Sequence, residues 1–235
     1  MMYKLIAFDL DNTLAGVGRA IAAKDLDLLK HLERSGVRIA ICSGKPTYYL
    51  CGFARQLALE QPILVGENGA VIQFGVALPP KQYYVLPYSQ QAKESIRLLH
   101  ATMVQRLPKL WFQPNVTALT PFPTSEAEFS AIDGCIRDLG DQLQDVTIYR
   151  HFDSFDIMPN GITKGSGLDH LSRLLNISPQ EIVAVGDGVN DYPMFEYAGL
   201  SLGVGVKEPG RVDRDFKTTA QVLAYLAELV GAPHP

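Results

Sequence analysis

Asp9 and Asp11 stand two residues apart where the apolar run Leu5-Ile6-Ala7-Phe8 ends. Alternate residues of a strand share a face, so the two carboxylates can converge on one ligand while the strand persists. Such a pair repels itself unless a proton or a cation intervenes; the competing reading is an acidic strand end followed by an Asn turn. Ser43-Gly44 closes a second apolar run, 37–42. A hydroxyl beside free N–H groups at a helix start makes an anion site, although Ser-Gly is also an ordinary N-cap. Lys164, in Gly161-Ile162-Thr163-Lys164-Gly165, opens a leucine-faced helix. A cation there opposes the helix dipole, which a local anion would offset; a solvated lysine is the bland alternative. Gly186-Asp187-Gly188-Val189-Asn190-Asp191 follows a further apolar run, 182–185. Acids flanked by glycines at a strand end can bring oxygen ligands to a hard cation such as Mg2+.

These residues need a scaffold that delivers several strand ends to one place. The runs 5–8, 37–42, 63–65 and 182–185 are nearly continuous Val, Ile, Leu and Ala, as a parallel sheet covered by helices on both faces requires. Helical patterns lie between them: Leu26, Leu29 and Leu32 ahead of Gly36, Leu50 to Leu57 behind Pro46, Leu168 to Leu175, and Val222 to Leu229 before Gly231. Strands alternating with such helices predict an α/β fold with a doubly wound, mainly parallel sheet, whose ligands bind beyond the carboxyl ends of the strands. Residues 79–160 read differently. They hold a strand-like stretch 81–85 and a helix carrying Ala92, Ile96, Leu99 and Met103, stopped by Pro108. A run 110–120 broken by Pro114 follows, then a capping box at Ser125 and Glu128, and an alternating stretch 146–150. The expected organisation is a discontinuous core domain, 1–78 and 161–235, interrupted by an α+β cap at 79–160. Glu67-Asn68-Gly69 ahead of the cap reads as a hairpin turn.

The 235 residues are 47% hydrophobic and 20% charged, a globular composition that excludes a disordered chain. Twenty-one basic against 25 acidic residues give a net charge of −4, which lacks the basic surplus that nucleic-acid binding exploits. No apolar run reaches the ~18–20 residues that span a bilayer, and Asp9 arrives too early for a signal peptide. Cys42, Cys51 and Cys135 are odd in number and lack Cys-x-x-Cys spacing, so reduced core thiols in a cytoplasmic protein are expected. His31, His100, His170 and His234 share no metal-ligand spacing.

Taken together, Asp9-Leu10-Asp11-Asn12-Thr13, Ser43, Lys164 and Gly186 to Asp191 resemble, in order and spacing, the four signature motifs of the haloacid dehalogenase superfamily of phosphohydrolases. Glu67-Asn68-Gly69-Ala70, Asp156-Ile157-Met158-Pro159 and Asn190-Asp191-Tyr192-Pro193-Met194-Phe195 further resemble its Cof-like subgroup, with an α+β cap inserted after the third strand. Asn12 stands where the family usually has Gly, Lys45 where Arg is common, and the run 203–207 lacks the usual Gly-Asn-Ala. The resemblance implies a Mg2+-dependent phosphatase. Asp9 would be the nucleophile and Asp11 the general acid and base; Ser43, Gly44 and Lys164 would bind the phosphoryl group. Mg2+ would be held by Asp9, the Asp11 backbone carbonyl and Asp187, with Asp191 as ligand or support. Thr13 and Asn190 would orient Asp11 and the metal cluster.

Specificity would then reside in the cap, with Asn115, Thr117, Arg150 and His151 as polar candidates and Trp111 as a stacking surface; the bland reading puts Trp111 in the core and Arg150 and His151 on a wet strand face. A short cap resembles those of archaeal phosphoglycolate phosphatases, and a small phosphorylated metabolite, phosphoglycolate or a sugar phosphate, is the expected substrate. A monomer or homodimer is expected, without nucleic-acid or membrane partners. The alternatives are a phosphomutase, a catalytically silent phosphometabolite-binding protein, and a receiver-type phosphoacceptor. The last carries no large cap and places its phosphorylated Asp on a later strand than its acidic pair.

Overall fold

The computed structural model describes residues 3–231; His234 lies outside them. The elements run β1 (Leu5–Asp9), α1 (Ala23–Arg34), β2 (Arg38–Cys42), α2 (Thr47–Leu57), β3 (Ile63–Gly66), β4 (Val71–Phe74), β5 (Gln82–Val85), α3 (Gln90–Arg106), β6 (Trp111–Gln113) and β7 (Thr120–Phe122). There follow α4 (Glu126–Leu139), β8 (Val146–Arg150), β9 (Phe155–Pro159), α5 (Lys164–Leu175), β10 (Ile182–Gly186), α6 (Tyr192–Tyr197), β11 (Leu200–Val204), β12 (Arg214–Phe216) and α7 (Thr219–Gly231). They form two compact units: one runs to Tyr84 and resumes at Thr163, the other is Val85–Ile162. Residues 79–84, grouped with the insert by sequence, lead through β5, which is the outermost strand beside β4.

In the first unit eight strands are ordered β12-β11-β10-β1-β2-β3-β4-β5. The pairings from β12 through β3 are parallel, and β3–β4 is antiparallel. After β1 the chain builds outward through β2 and β3, then returns to build outward on the other side through β10. The strand order therefore reverses between β1 and β10, where an open α/β sheet leaves a crevice at its carboxyl edge. Every residue of β1, β3 and β10 is buried, as their unbroken apolar runs require. Ile6, Phe8, Ile39, Ile41, Val183 and Val185 pack with Leu29 and Leu32 of α1 and Val222 and Leu226 of α7. Gly36, at φ +92°, turns the chain after α1, a conformation that glycine adopts without a Cβ clash.

The hairpin at 67–69 joins β3 to β4, with Gly66 opposite Val71. Asn68 sits at φ +51° and Gly69 at φ +103°, which explains the Asn-Gly pair. Strands β11 and β12 escape the sequence reading: β11 is interrupted by Ser201 and Gly203, and β12 is Arg-Asp-Phe, so neither has a recognisable apolar run.

The second unit holds α3, α4 and two antiparallel pairs, β6–β7 and β8–β9, linked by a bridge between Leu119 and Ile157. Its core gathers Leu99, Met103, Phe129, Ile132, Phe155 and Ile157. The capping box at the start of α4 is only half formed. Ser125 Oγ accepts from the Glu128 N–H, but the Glu128 carboxylate accepts from the Thr124 N–H rather than from that of Ser125. Trp111 is 58% exposed, which corrects its assignment to the core; it faces Phe122 across the β6–β7 pair, edge-on at 5.2 Å. Among the described residues no helix is long and apolar enough to cross a membrane.

Candidate active site

Asp9 ends β1 and is 5% exposed. Lys164 opens α5 and is wholly buried, which overturns the reading of a solvated lysine. A capping box sets it there: Thr163 Oγ1 accepts from the Ser166 N–H, and Ser166 Oγ accepts from the Thr163 N–H. From this position Nζ donates to Asp9 Oδ1 at 2.5 Å and to Asp191 Oδ1 at 2.6 Å. Burying an ammonium costs several kcal/mol unless it is paired, so Lys164 holds the ends of two distant chain segments against each other.

Asp191 is also fully buried. Its second oxygen, Oδ2, accepts from the backbone N–H groups of Asp187 at 2.9 Å and Gly188 at 3.0 Å. A side chain at Gly186 would overlap the Asp191 carboxylate, so glycine at the end of β10 is what admits this bond. Asp187 is half-buried and accepts from Thr13 Oγ1 at 3.3 Å. One carboxylate oxygen each from Asp9, Asp187 and Asp191 lie within 4.8 Å of one another.

The electrostatics of this cluster are unbalanced. Burial pushes the Asp9 carboxyl up to about 7; Lys164 pulls it down, while the charges of Asp191 and Asp187 push the same way as burial. Burial and Asp191 likewise raise Asp187. Burial by itself would lower the Lys164 ammonium, but Asp191 and Asp9 outweigh it and hold it charged. Three carboxylates against one ammonium leave a formal charge of −2 in a place poor in water, which a divalent cation would offset. The donors are all hard oxygens, as Mg2+ or Ca2+ prefers. The residues therefore fit a divalent cation.

Asp11 stands outside the three-carboxylate cluster. It is half-buried and lines a cavity of about 530 Å3 together with Arg19, Tyr48 and Tyr49. Asn12 occupies φ +64°, which Asn tolerates among L residues and which accounts for its standing at the family's usual glycine. Ser43 follows β2 and is 3% exposed; its Oγ accepts from the Lys45 N–H at 3.2 Å, and its carbonyl accepts from the Asn68 N–H. Gly44 passes so close to the Asn68 side chain that a Cβ would lie 3.3 Å from Asn68 Nδ2.

The two residues expected to orient Asp11 and the metal cluster divide. Thr13 Oγ1 bonds Asp187, a member of the acidic cluster, and not Asp11. Asn190 is exposed and donates from Nδ2 to Asn68 Oδ1, in the hairpin, at 3.4 Å. Asn68 is thereby a site element that sequence reasoning used only as a turn. Cys42, level with Asp9 in the sheet, is wholly buried and its thiol is pushed by burial up to about 12, which makes it inert.

The cap candidates divide. Arg150 pairs with Asp133 at 3.5 Å and lies over the rings of Phe129 and Phe155. His151 lies 3.4 Å from Asp156, whose other oxygen accepts from Thr120 Oγ1. Asn115 donates to Thr120 Oγ1 and accepts from Gln113 Nε2. Asn115 and Thr117 line one cavity of the second unit, of which Arg150 is no part.

The family profile of the haloacid dehalogenase-like hydrolases matches residues 6–115 and 112–210. A phosphoglycolate phosphatase of Methanopyrus kandleri is 27% identical over 94% of this chain and 90% of its own length. A haloacid dehalogenase-like hydrolase from Bacteroides thetaiotaomicron superposes with a TM-score of 0.79 at 20% identity, covering 95% of this chain and 99% of its own. A subclass IIB sugar phosphatase of the same superfamily gives 0.69 at 19% identity, over 94% and 98%. With its motifs gathered where β1 and β10 end and its profile match running through nearly the whole chain, this protein belongs to the haloacid dehalogenase-like hydrolases.

Proposed function

We propose that the protein is a Mg2+-dependent phosphatase acting on a small phosphorylated metabolite of the phosphoglycolate or sugar phosphate type. The observation that carries this reading is the buried Lys164 ammonium between Asp9 and Asp191, beside Asp187. It supplies a carboxylate at the carboxyl edge of the sheet together with the positive charge that an incoming phosphoryl group needs. The substrate class is supported by the phosphoglycolate phosphatase among the relatives and the sugar phosphatase among the structural neighbours.

In this mechanism a carboxylate oxygen of Asp9 attacks phosphorus as the bond to the leaving alkoxide breaks, and Asp11 gives that alkoxide its proton. Water then attacks the aspartyl-phosphate, Asp11 takes the water proton, and the bond to Asp9 breaks to release inorganic phosphate. Two of the three N–H donors of Lys164 are held by carboxylates; the third and the Ser43 hydroxyl would bind phosphoryl oxygens. Asp9, Asp187 and the Asp11 carbonyl would hold Mg2+, with Asp191, whose two oxygens are already engaged, fixing Asp187 and Lys164. Bound there, the cation offsets the repulsion between an anionic nucleophile and an anionic substrate.

The test is phosphate release from phosphoglycolate, hexose phosphates and nucleotides, with and without Mg2+. Metal-dependent release concentrated on one small substrate is expected, and Asp9→Asn should reduce it by roughly three orders of magnitude or more while the circular dichroism spectrum stays unchanged. Substantial turnover by the folded variant would rule out Asp9 as nucleophile.

A further inference from the structure

The second unit contains a cavity of about 570 Å3 that the catalytic reading does not use. One wall is the side of α3 that carries Lys93, Arg97 and His100; the other is the end of β6, with Gln113, and the segment after it, with Asn115 and Thr117. Residues 93, 97 and 100 follow the four- and three-residue steps that place side chains on one helical face. No acidic side chain lines the cavity. Among the described residues neither Lys93 nor Arg97 is in an ion pair. The acid best placed on the helix to neutralise Arg97 is Glu94, three residues earlier, and it accepts a hydrogen bond from Gln90 Nε2 instead. Lys93 has its ammonium 5.2 Å from the centre of the Tyr88 ring, and His100 meets Phe112 edge-on at 4.7 Å.

Like charges four apart on a helix repel, and among the described residues no carboxylate is paired with either of them. The opposite wall supplies amide and hydroxyl groups, with Gln113 and Thr117 buried. A cleft of ligand size lined by two cationic side chains and by amide and hydroxyl groups, with no acidic side chain in its lining, is chemically suited to a small anion. We propose that this cavity binds a small metabolite through a carboxylate or phosphate group, with Lys93 and Arg97 as the charge-bearing contacts and Asn115, whose amide has a second N–H beyond the one given to Thr120, as the orienting one. The anion is a ligand distinct from the phosphorylated substrate. This binding does not rest on the phosphatase reading.

The experiment titrates the full-length protein with malonate by calorimetry, at low and at high NaCl. Saturable binding that weakens with salt is expected, with affinity reduced about tenfold or more in Lys93→Glu/Arg97→Glu. Arg97→Gln, which removes one charge and keeps the protein's remaining surface, should lie between the two. Inhibition kinetics with the best substrate then test that distinctness. Inhibition or activation that is not competitive, and that is lost in the variants, is the expected result; competitive inhibition with KM raised in the variants overturns the assignment to a separate ligand. Absence of malonate binding, or an affinity unaltered in both folded variants, overturns the site, and it does so whether or not phosphate release is observed.

Discussion

Lys164 is the residue on which the candidate site depends most. It is wholly buried, and both of its named partners are carboxylates that would repel each other in its absence. Lys164→Met keeps the length of the side chain but leaves Asp9 and Asp191 without their cation. Removing one partner of a buried ion pair costs about 3–5 kcal/mol, which for a chain of this size is a fall in Tm of roughly 10 °C. A thermal melt in the metal-free state should show that loss, and adding Asp191→Asn to the variant should recover part of it by removing the uncompensated charge. A melt unmoved by the first substitution would mean that the ammonium is not buried as described. The type of residue 164 was legible at the sequence level, but a lysine at a helix start is ordinarily solvated. Its burial became visible only with the two partners, which lie 155 and 27 positions away.

At the scale of elements, the crevice depends on how β1 and β10 are held level. Lys4, just before β1, bonds Glu181, just before β10, at 2.6 Å, and the same carboxylate accepts from the Ser178 N–H and hydroxyl. The Lys4 hydrogen bond, followed by that from Ser178, lowers Glu181 from its usual 4.5 to about 2. An acid lowered on folding stabilises the protein above its unfolded-state value, and that stabilisation is lost as pH falls through the folded value. Between pH 4.5 and 2 the wild type should therefore lose a contribution that Glu181→Gln never had, and the two Tm-against-pH curves should converge toward pH 2. Parallel curves over that interval would count against the bond. The strands themselves divide by chemistry. β1, β2, β3 and β10 were readable because burial on both faces demands unbroken apolar runs. β11 and β12 were not: β12 has only β11 beside it, so it needs little apolar surface.

For the whole molecule, charge balance is the governing quantity. Two buried carboxylates, a half-buried one and a single ammonium make the metal-free state electrostatically strained, so binding a divalent cation should stabilise the fold. A ligand that binds only the native state adds about 2.7 kcal/mol at a hundredfold excess over Kd, or roughly 5–10 °C. Dialysis against a chelator should lower Tm by an amount of that order and Mg2+ should restore it. Asp187→Asn should flatten the response, since it removes a ligand and one of the repelling charges together. A wild-type melt indifferent to both treatments would rule out a cation at this cluster.

The sequence by itself determined what is encoded locally. The parallel α/β class follows from apolar runs alternating with helical periodicities, the hairpin from Asn68-Gly69, and the identity of the acids, hydroxyl and lysine from strand-end motifs in register. Only the tertiary structure decided which of those groups meet. It sent Thr13 to Asp187 and Asn190 to Asn68, engaged both oxygens of Asp191, and left Asp11 outside the acidic cluster beside a cavity with Arg19, Tyr48 and Tyr49. It likewise tied Arg150 to Asp133 while setting Asn115 and Thr117 opposite Lys93 and Arg97. The physical reason is one of range. Periodicity and turn chemistry are short-range properties that a stretch of sequence carries with it, whereas pairing, desolvation and the sign of a pKa shift depend on groups brought together from distant segments.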